Sequence, residues 1–216
     1  MTTGVLISGG LDSAALVLHL LDHGHSVLPI YVRCGFFWEP AELFWIRRLL
    51  RTYPSKRVFK LKVVTIPVHS LYGNHWSLTG KGVPKAKSPD AAVFLPGRNA
   101  LLLTAAAIVT APERISQLAL GTLRSNPFGD ATPQFFRHMA SALGSALETR
   151  FQIIAPFRRL TKSKLIEQFP TAAFALTFSC IQPKLRYYHC GCCNKCAERK
   201  KAFRQAGVCD PTRYLH

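Results

Sequence analysis

The sequence has no hydrophobic stretch long enough to cross a lipid bilayer. Its longest apolar run, residues 100–111, is shorter than the roughly 20 residues that a membrane-spanning helix needs, and Arg98 lies just before it. Internal repeats and low-complexity tracts are also absent. These absences argue against a membrane protein and a repeat array. A length of 216 residues with 48% hydrophobic content predicts one globular domain, with a small appendage at most.

Nothing near Met1 resembles an export signal, because the chain enters its first apolar segment almost at once. Acidic residues are few: 11 Asp and Glu stand against 28 Lys and Arg, which gives a net charge of +17. Four of the seven cysteines lie within residues 190–196, a spacing typical of metal binding rather than of disulfides. We therefore expect a cytoplasmic protein. Its charge predicts either contact with RNA or another polyanion, or a solvated basic surface.

Short apolar segments alternate with helical patterns along most of the chain. Strands are predicted near residues 5–7, 26–32, 58–67, 115–121 and 151–156, and helices from 14 onward, over 42–51, 100–107 and 130–147, and from 161 onward. This alternation predicts an α/β fold, a Rossmann-like parallel five-stranded sheet with helices on both faces. Ligands bind such sheets at the carboxyl ends of the strands. Residues 8–13, the segment after Val32 and Gly121 should therefore lie on one rim.

Residues 8–13 (SGGLDS) join the first predicted strand to the first predicted helix. The two glycines allow positive φ and let a ligand approach the backbone. The hydroxyls of Ser8 and Ser13 and the free N–H groups of the new helix are donors for an anion. The carboxylate of Asp12 would repel that anion unless Mg²⁺ or a donor network lies between them. For two glycines alone, an ordinary strand–turn–helix corner is the alternative.

Taken in full, SGGLDS resembles the pyrophosphate-binding loop, SGGxDS, of the N-type ATP pyrophosphatases. Those enzymes split ATP between its α- and β-phosphates and adenylate a substrate. No Walker sequence GxxxxGK[ST] follows this strand. The resemblance implies that ATP is bound by Ser8, Gly9, Gly10, Leu11, Asp12, Ser13 and, after the fourth strand, Gly121.

Two segments place basic side chains at predicted helix starts. Arg98 and Asn99 follow a Pro-Gly turn; either Asn99 caps the helix and Arg98 is a surface residue, or Arg98 binds phosphate or carboxylate. Thr161 is a good N-cap, whereas Lys162 in the first turn opposes the helix dipole and is either a phosphate contact or a solvated side chain. Residues 70–90 lack periodicity and predict a long loop, either a lid or a disordered segment.

Four cysteines near the C-terminus have the spacing of a metal site. They are Cys190, Cys193 and Cys196 in a C-x₂-C-x₂-C pattern, with Cys180 from a preceding loop. Four thiolates in a tetrahedron suit a structural Zn²⁺, and an iron–sulfur cluster is the alternative. Cys192 is out of register, and His189 is a substitute ligand. We predict that the metal fixes residues 171–216 against a nucleotide-binding domain formed by residues 1–170.

Together these motifs resemble the 7-cyano-7-deazaguanine synthase family of queuosine biosynthesis over nearly the whole chain. The matching segments are SGGLDS at 8–13, PGRN at 96–99, LG at 120–121, Asp130 with Phe135, Pro156, TK at 161–162, SC at 179–180 and the cysteine tail through Arg199 to Phe203. The resemblance implies an ATP-dependent ligase that makes 7-cyano-7-deazaguanine from 7-carboxy-7-deazaguanine and ammonia. It implies adenylated carboxylate and amide intermediates, and we expect a homodimer.

The same resemblance assigns roles to individual residues. The implied catalytic residues are Asp12, Arg98, Asp130 and Lys162, and the implied substrate contacts are Arg98, Asn99 and Asp130. In these roles Asp12 binds Mg²⁺, and Arg98 and Lys162 offset the negative charge that develops on the phosphates or the substrate. Asp130 hydrogen-bonds the base or orients ammonia.

Two segments depart from the family pattern. Where the family has YGQRH, residues 33–38 (RCGFFW) keep only the glycine, and where it has GYPDC, residues 127–131 read PFGDA. Both departures remove polar groups that could recognise a base, so two other functions stay open. One is an enzyme that adenylates a tRNA base or another carboxylate, with Cys34 or Cys192 reactive in a thiolase. The other is a non-catalytic module that binds ATP and zinc.

Overall fold

The computed structural model describes residues 1–215, and a five-stranded parallel sheet lies at its centre. The strands lie in the order β3-β2-β1-β4-β5. Their bounds are β1 Thr2–Leu6, β2 Ser26–Arg33, β3 Lys62–Thr65, β4 Gln117–Ala119 and β5 Gln152–Ile154. Strand β1 pairs in parallel with both β2 and β4. The strand order therefore reverses between β1 and β4, the point where open α/β sheets bind ligands.

Helices connect the strands and cover the sheet. Their bounds are α1 Leu11–Asp22, α2 Glu39–Thr52, α3 His69–Tyr72, α4 Trp76–Thr79, α5 Arg98–Thr110, α6 Pro133–Ala146, α7 Lys162–Gln168, α8 Thr171–Phe174 and α9 Asn194–Ala206. Thr161 caps α7 by accepting a hydrogen bond from the backbone N–H of Lys164, so the predicted cap is confirmed.

Alternate residues of the sheet face two separate apolar layers. At the end of β1, Leu6 belongs to the layer that contains α5 and α6, whereas Val5 and the following residue, Ile7, belong to the layer that contains α1, α7 and α9. Successive strand residues point to opposite faces, and both faces are apolar because helices cover both. The predicted Rossmann-like α/β fold is therefore confirmed.

Several predicted segments differ in the structure. Strand β3 begins at Lys62 rather than at Val58, which forms an isolated bridge with Val27. The helix expected from Asp130 begins at Pro133, because Gly129–Ala131 form a 3₁₀ turn and proline suits the first helical position. Residues 70–90 are not a single loop, since α3 ends and α4 lies within them.

The rest of that segment packs against the cysteine region. Lys85 and Cys193 form an antiparallel bridge, and the Ala86 N–H donates to the carbonyl oxygen of Cys192 at 2.9 Å. Asn194 donates its backbone N–H to Pro84 O at 3.0 Å. The disordered alternative is therefore wrong for residues 84–86.

Residues beyond 170 take part in both apolar layers. Phe178 lies in the layer of α5, and Phe174 and Phe203 lie in the layer of α1. The backbone N–H of Phe178 donates to Gly9 O at 2.7 Å and so reaches the segment after β1. The division into residues 1–170 and 171–216 stays a prediction, with the two parts sharing their apolar layers.

One stretch, Asp90–Glu113, would suit a membrane span by length and composition, with a mean hydropathy of 1.6. In the structure a turn at residues 94–97 separates its 3₁₀ start from α5. The 13 residues of α5 extend about 20 Å, less than the roughly 30 Å of a bilayer core. Helix α5 also buries Leu103 and Ala106 against the sheet, as a core helix does.

Arg199 on α9 is buried, with 1% of its surface exposed, and connects three segments. Its guanidinium donates to Thr177 Oγ1 at 2.9 Å, to Phe174 O at 2.9 Å and to Thr212 Oγ1 at 2.6 Å. Its Nε lies 3.6 Å from Asp210 Oδ1. One buried charge therefore holds α9, the segment after α8 and the C-terminal tail together.

We expect Arg199→Met to lower the free energy of unfolding by about 3 kcal/mol, because it leaves buried acceptors without their donor. Arg204→Met, on the exposed side of the same helix, is the matched control and should change it by less than about 0.5 kcal/mol. Urea unfolding followed by circular dichroism measures both. Equal effects of the two substitutions would contradict the role assigned to Arg199.

Candidate active site and metal centre

Residues 8–13 lead from β1 into α1, and their shape is fixed by glycine and serine. Gly9 has a φ of +77°, and a Cβ there would lie 3.3 Å from a backbone oxygen of α2. Gly10 has an ordinary φ of −71°, so only the first of the two glycines uses the positive φ that both allow. Ser13 Oγ donates to Gly10 O at 3.2 Å and accepts from the Ser8 N–H at 3.2 Å. The loop is therefore held in one conformation.

Two adjoining cavities, of about 620 and 260 Å³, open beside this loop. Residues that line both include Ser8, Asp12, Glu42, Arg98, Asn99 and Lys162. The larger cavity alone is lined by Ser13 and Gly121, and the smaller one alone by Gly10, Leu11 and Asp130. Gly9 lines neither cavity. The predicted site residues therefore meet in one crevice at the carboxyl edge of the sheet.

Four buried polar atoms have no hydrogen-bond partner among residues 1–215. They are Asp12 Oδ1, Arg98 Nε, Thr122 Oγ1 and Asn194 Oδ1. All four belong to residues that line the larger cavity. Unpaired buried polar atoms are rare in folded proteins, so their concentration here indicates a site for a polar ligand.

Lys162 connects the loop to the C-terminal helix. Its Nζ lies 3.6 Å from Asp12 Oδ2 and 2.5 Å from Glu198 Oε1, and Lys195 Nζ lies 2.8 Å from the other oxygen of Glu198. Burial raises the pKa of Asp12, and Lys162 opposes that rise. Burial would also raise the pKa of Glu198, but Lys162 and Lys195 bring it down to about 2. Lys162 is therefore a fixed, charged group rather than a solvated side chain.

Arg98 and Asn99 begin α5, as predicted, but the N-cap is Gly97 and not Asn99. The carboxylate of Asp130 accepts the Asn99 backbone N–H at 2.9 Å, and the Asn99 side-chain amide donates to Asp130 O at 3.0 Å. The Arg98 guanidinium lies 5.5 Å from the centre of the Phe36 ring. Asp130 thus fixes the start of α5 and with it the base of the arginine side chain.

Two buried carboxylates on α2 were missed by the sequence analysis. Glu39 accepts the backbone N–H groups of Cys34 at 2.5 Å and of Gly35 at 3.0 Å. Glu42 accepts a hydrogen bond from the Tyr31 hydroxyl at 2.6 Å. Burial raises the pKa of Glu42 to about 8, although Arg98 and hydrogen bonds from Tyr31 and Trp38 lower it and Glu39 raises it further. Burial therefore disfavours the ionised form of Glu42 in the ligand-free protein, and the charge of the nearby Arg98 favours it.

A sequence signal for Glu42 existed. It precedes Ile46 by four residues and so lies on the face of α2 that Ile46 buries, where a carboxylate is rarely placed without a function. Glu198 had no comparable signal, because its contact with Lys162 joins two helices that are distant in sequence.

The two segments that depart from the family pattern are aromatic and border the cavities. Phe36 is buried and stacks on Trp38, with ring centres 5.0 Å apart. Phe128, which lines both cavities, contacts Phe94 with ring centres 4.9 Å apart. The walls that these segments form are therefore apolar. Cys34 is buried nearby, and burial raises the pKa of its thiol to about 11, which keeps it protonated.

The four predicted metal ligands converge. The sulfur atoms of Cys180, Cys190, Cys193 and Cys196 are buried and all lie within 4.8 Å of one another. The Sγ–Sγ distance is 3.8 Å between Cys180 and Cys193 and 3.9 Å between Cys190 and Cys196. Four sulfurs about 2.3 Å from a zinc ion form a tetrahedron with edges of about 3.8 Å. The donor set and its spacing therefore fit a structural Zn²⁺.

His189 and Cys192 lie outside this set. The Nε2 atom of His189 accepts the backbone N–H of Ser179 at 3.0 Å, so the alternative of a histidine ligand is wrong. Burial lowers the pKa of His189 to about 3, and the ring stays neutral. Cys192 is exposed, as expected of a residue out of register.

The sheet order and the glycine-containing loop at the carboxyl end of β1 define a Rossmann-like α/β protein with a candidate ligand-binding loop. Within that class, residues 3–207 match the family model described as Queuosine biosynthesis protein QueC, and the chain belongs to that family. The predicted family is confirmed, and with it the prediction that the chain is an enzyme.

Relatives that the chain matches over nearly their whole length are named 7-cyano-7-deazaguanine synthase. The chain is 30% identical to 7-cyano-7-deazaguanine synthase 1 of Desulfitobacterium hafniense (strain Y51), over 97% of this chain and 94% of that protein. It is also 30% identical to 7-cyano-7-deazaguanine synthase of Myxococcus xanthus (strain DK1622), over 97% and 96%. Among solved structures, a 4-thiouridine synthetase–RNA complex with bound ATP has 17% identity and a TM-score of 0.48, over 95% of this chain and 50% of that one.

We expect the purified chain to hold about one zinc ion, and Cys190→Ser to lose it and lower the melting temperature by at least about 10 °C. Cys192→Ser removes an exposed thiol beside the cluster and should keep both the metal and the stability. Elemental analysis and thermal unfolding measure the two effects. Iron with sulfide in the purified protein would support the cluster alternative instead.

Proposed function

We infer that the protein is an ATP-dependent ligase that converts 7-carboxy-7-deazaguanine and ammonia to 7-cyano-7-deazaguanine. The observation that carries this proposal is the group of unpartnered buried polar atoms around the larger cavity, beside a loop that resembles a pyrophosphate-binding loop. The name of the full-length relatives supports the choice of acceptor.

In this proposal ATP occupies the larger cavity, with its phosphates at residues 8–13. The free N–H groups at the start of α1 and the hydroxyl of Ser8 are the proposed donors for pyrophosphate, and Ser13, whose hydroxyl donates to Gly10 O, lines the same cavity and keeps the loop in shape. Asp12 Oδ1 lacks a partner and suits Mg²⁺, which prefers carboxylate oxygens. When bound, that ion would neutralise part of the phosphate charge.

The chemistry explains why ATP is needed twice. A carboxylate oxygen is a poor leaving group, so the acceptor carboxylate attacks the α-phosphorus and pyrophosphate leaves with the electrons of the broken P–O bond. Ammonia then displaces AMP and forms the amide. The amide oxygen then attacks the α-phosphorus of a second ATP, pyrophosphate leaves, and loss of one N–H proton gives an O-adenylated imidate. Loss of AMP, which takes the electrons of the C–O bond, and of the second N–H proton leaves the nitrile. Arg98 and Lys162 are the proposed groups that offset the negative charge developing in these steps.

Asn99 and Asp130 stay the proposed contacts to the acceptor. Both line the smaller cavity, which adjoins the proposed ATP site. The hydrogen bond between them also fixes the start of α5, so either residue acts on Arg98 even where it does not touch the acceptor. Substitution of Asp130 should therefore affect binding of both substrates.

The aromatic walls favour one second candidate, an enzyme that adenylates a different acceptor such as another carboxylate or a tRNA base. Phe36 and Phe128 stand where the family pattern places less apolar sequence around its pocket, and both line the larger cavity. A different acceptor would use the same ATP site. The intact loop and its cavity argue against a non-catalytic module.

The test is mass spectrometry of a reaction with purified protein, Mg-ATP, ammonia and 7-carboxy-7-deazaguanine. The nitrile as product supports the proposal. If AMP or pyrophosphate forms only with another acceptor, such as tRNA, then the proposed acceptor is wrong. A cytoplasmic location, a homodimer and contact with tRNA through the basic surface stay predictions.

Gly121 gives a test of the ATP site alone. A Cβ at this position would lie 2.8 Å from the backbone carbon and oxygen of Asp12. Gly121→Ala should therefore displace the loop and weaken ATP binding by about tenfold or more, since overpacking costs about 1–3 kcal/mol. Gly129→Ala is the control, because its Cβ would meet no atom within 4 Å. Calorimetric titration with ATP measures both, and equal affinities would contradict ATP binding at this loop.

A further inference from the structure

Among the carboxylates around the two cavities, Glu42 has an exceptional environment. It is buried, with 8% of its surface exposed, lines both cavities and forms no ion pair within residues 1–215. Asp12 and Glu198 share Lys162, and Glu39 is held by two backbone N–H groups and lies 3.7 Å from Arg33. A buried carboxylate without a cation is unfavourable, so this position suits a ligand that brings positive charge or N–H donors.

The position of Glu42 next to the loop limits which ligands could bind it. Its backbone oxygen would lie 3.3 Å from a Cβ on Gly9, so the first turns of α2 pack directly against residues 8–13. Arg98 lines the same two cavities, but within residues 1–215 it forms no ion pair with Glu42. A ligand bound to Glu42 in these cavities would lie beside the loop on which the proposed function activates the acceptor.

We propose that Glu42 binds the nitrogen donor of the reaction as ammonium and removes its proton before the attack on the activated acyl carbon. This proposal rests on the function proposed above. Ammonium is a small cation, and in a chain with a net charge of +17 it needs a local negative group to enter the site. Within residues 1–215 Glu42 is a buried carboxylate of the crevice that forms no ion pair, although the charge of Arg98 lowers its pKa.

The step balances as follows. One N–H bond of ammonium breaks and its proton moves to the Glu42 carboxylate. The freed nitrogen lone pair forms the C–N bond with the acyl carbon, and AMP leaves with the electron pair of the C–O bond. A second proton leaves the nitrogen for a phosphate oxygen of AMP, which gives the neutral amide.

The surroundings of Glu42 suit proton transfer. The titratable and charged groups that face it are Tyr31 on β2, Cys34 after β2, Glu39 on α2 and Arg98 on α5. The raised pKa of about 8 makes the Glu42 carboxylate a stronger base than an exposed glutamate. An arriving cation lowers that pKa and so favours the ionised form that accepts the proton.

The test separates adenylation from use of ammonia. Exchange of labelled pyrophosphate into ATP with 7-carboxy-7-deazaguanine requires no ammonia, whereas nitrile formation at varied ammonium chloride does. For Glu42→Gln we expect normal exchange, within about twofold of the unaltered chain, and a KM for ammonia raised by about tenfold or more. Glutamine still accepts the Tyr31 hydrogen bond, so the fold should be kept. Glu167→Gln removes an exposed helical carboxylate and should change neither quantity.

The pH dependence adds a second readout. In the unaltered chain, kcat/KM for ammonia should rise as the pH increases through about 8, because Glu42 must be ionised to bind ammonium. Glu42→Gln lacks this group, so its kcat/KM should show no inflection near pH 8 and should follow only the fraction of free ammonia. Identical profiles would overturn the proposal.

Other outcomes are equally decisive. An unchanged KM for ammonia, or a loss of exchange as large as the loss of nitrile formation, overturns the proposal, since Glu42 then serves ATP or the acceptor. If Glu42→Gln does not fold, Glu42→Asp replaces it in the test. A raised KM for ammonia with normal exchange in Glu42→Asp supports the proposal, and an unchanged KM overturns it. If the unaltered chain shows no pyrophosphate exchange, the proposed function itself is contradicted. If Glu42→Gln shows normal exchange and an unchanged KM for ammonia, only the role of Glu42 is contradicted.

Discussion

A backbone hydrogen bond from Phe178 to Gly9, 2.7 Å long, ties the loop after β1 to the C-terminal part of the chain. The residues on both sides of Phe178 are anchored independently. Thr177 accepts a hydrogen bond from the buried guanidinium of Arg199, and Cys180 belongs to the four-cysteine cluster. The conformation of the loop therefore depends on a buried charge and a cysteine cluster that come from the far end of the sequence. The C-terminal segment is part of the site rather than an attachment to it.

The charged groups of the crevice are of two kinds: those held in ion pairs and those that form none among the described residues. Near the loop, Lys162 is shared by Asp12 and Glu198, so its charge is compensated and its position is fixed before any ligand arrives. Near α5, Arg98 and Glu42 line the same cavities, and neither forms an ion pair within residues 1–215. Fixed charges stabilise a transition state without reorganisation, whereas unpaired ones provide affinity for an incoming polar group. The crevice combines both arrangements.

The fold was predictable because local patterns determine it. The alternation of apolar strands and helices, the glycine pair after β1 and the cysteine spacing each depend on residues close together in sequence. The parts that failed depend on tertiary contacts. Residues 84–86 look unstructured alone and are ordered by pairing with the cysteine segment, and Glu198 meets Lys162 only after two helices pack. Residues 33–38 matched no pattern, so the role of α2 in the crevice stayed hidden.

The bridge between Lys85 and Cys193 gives the cysteine cluster a second consequence. Ala86, on the wall of the larger cavity, is hydrogen-bonded to Cys192, so the wall and the cluster form one cooperative unit. A change at these thiols would therefore be felt at the cavity wall as well as at the cluster itself.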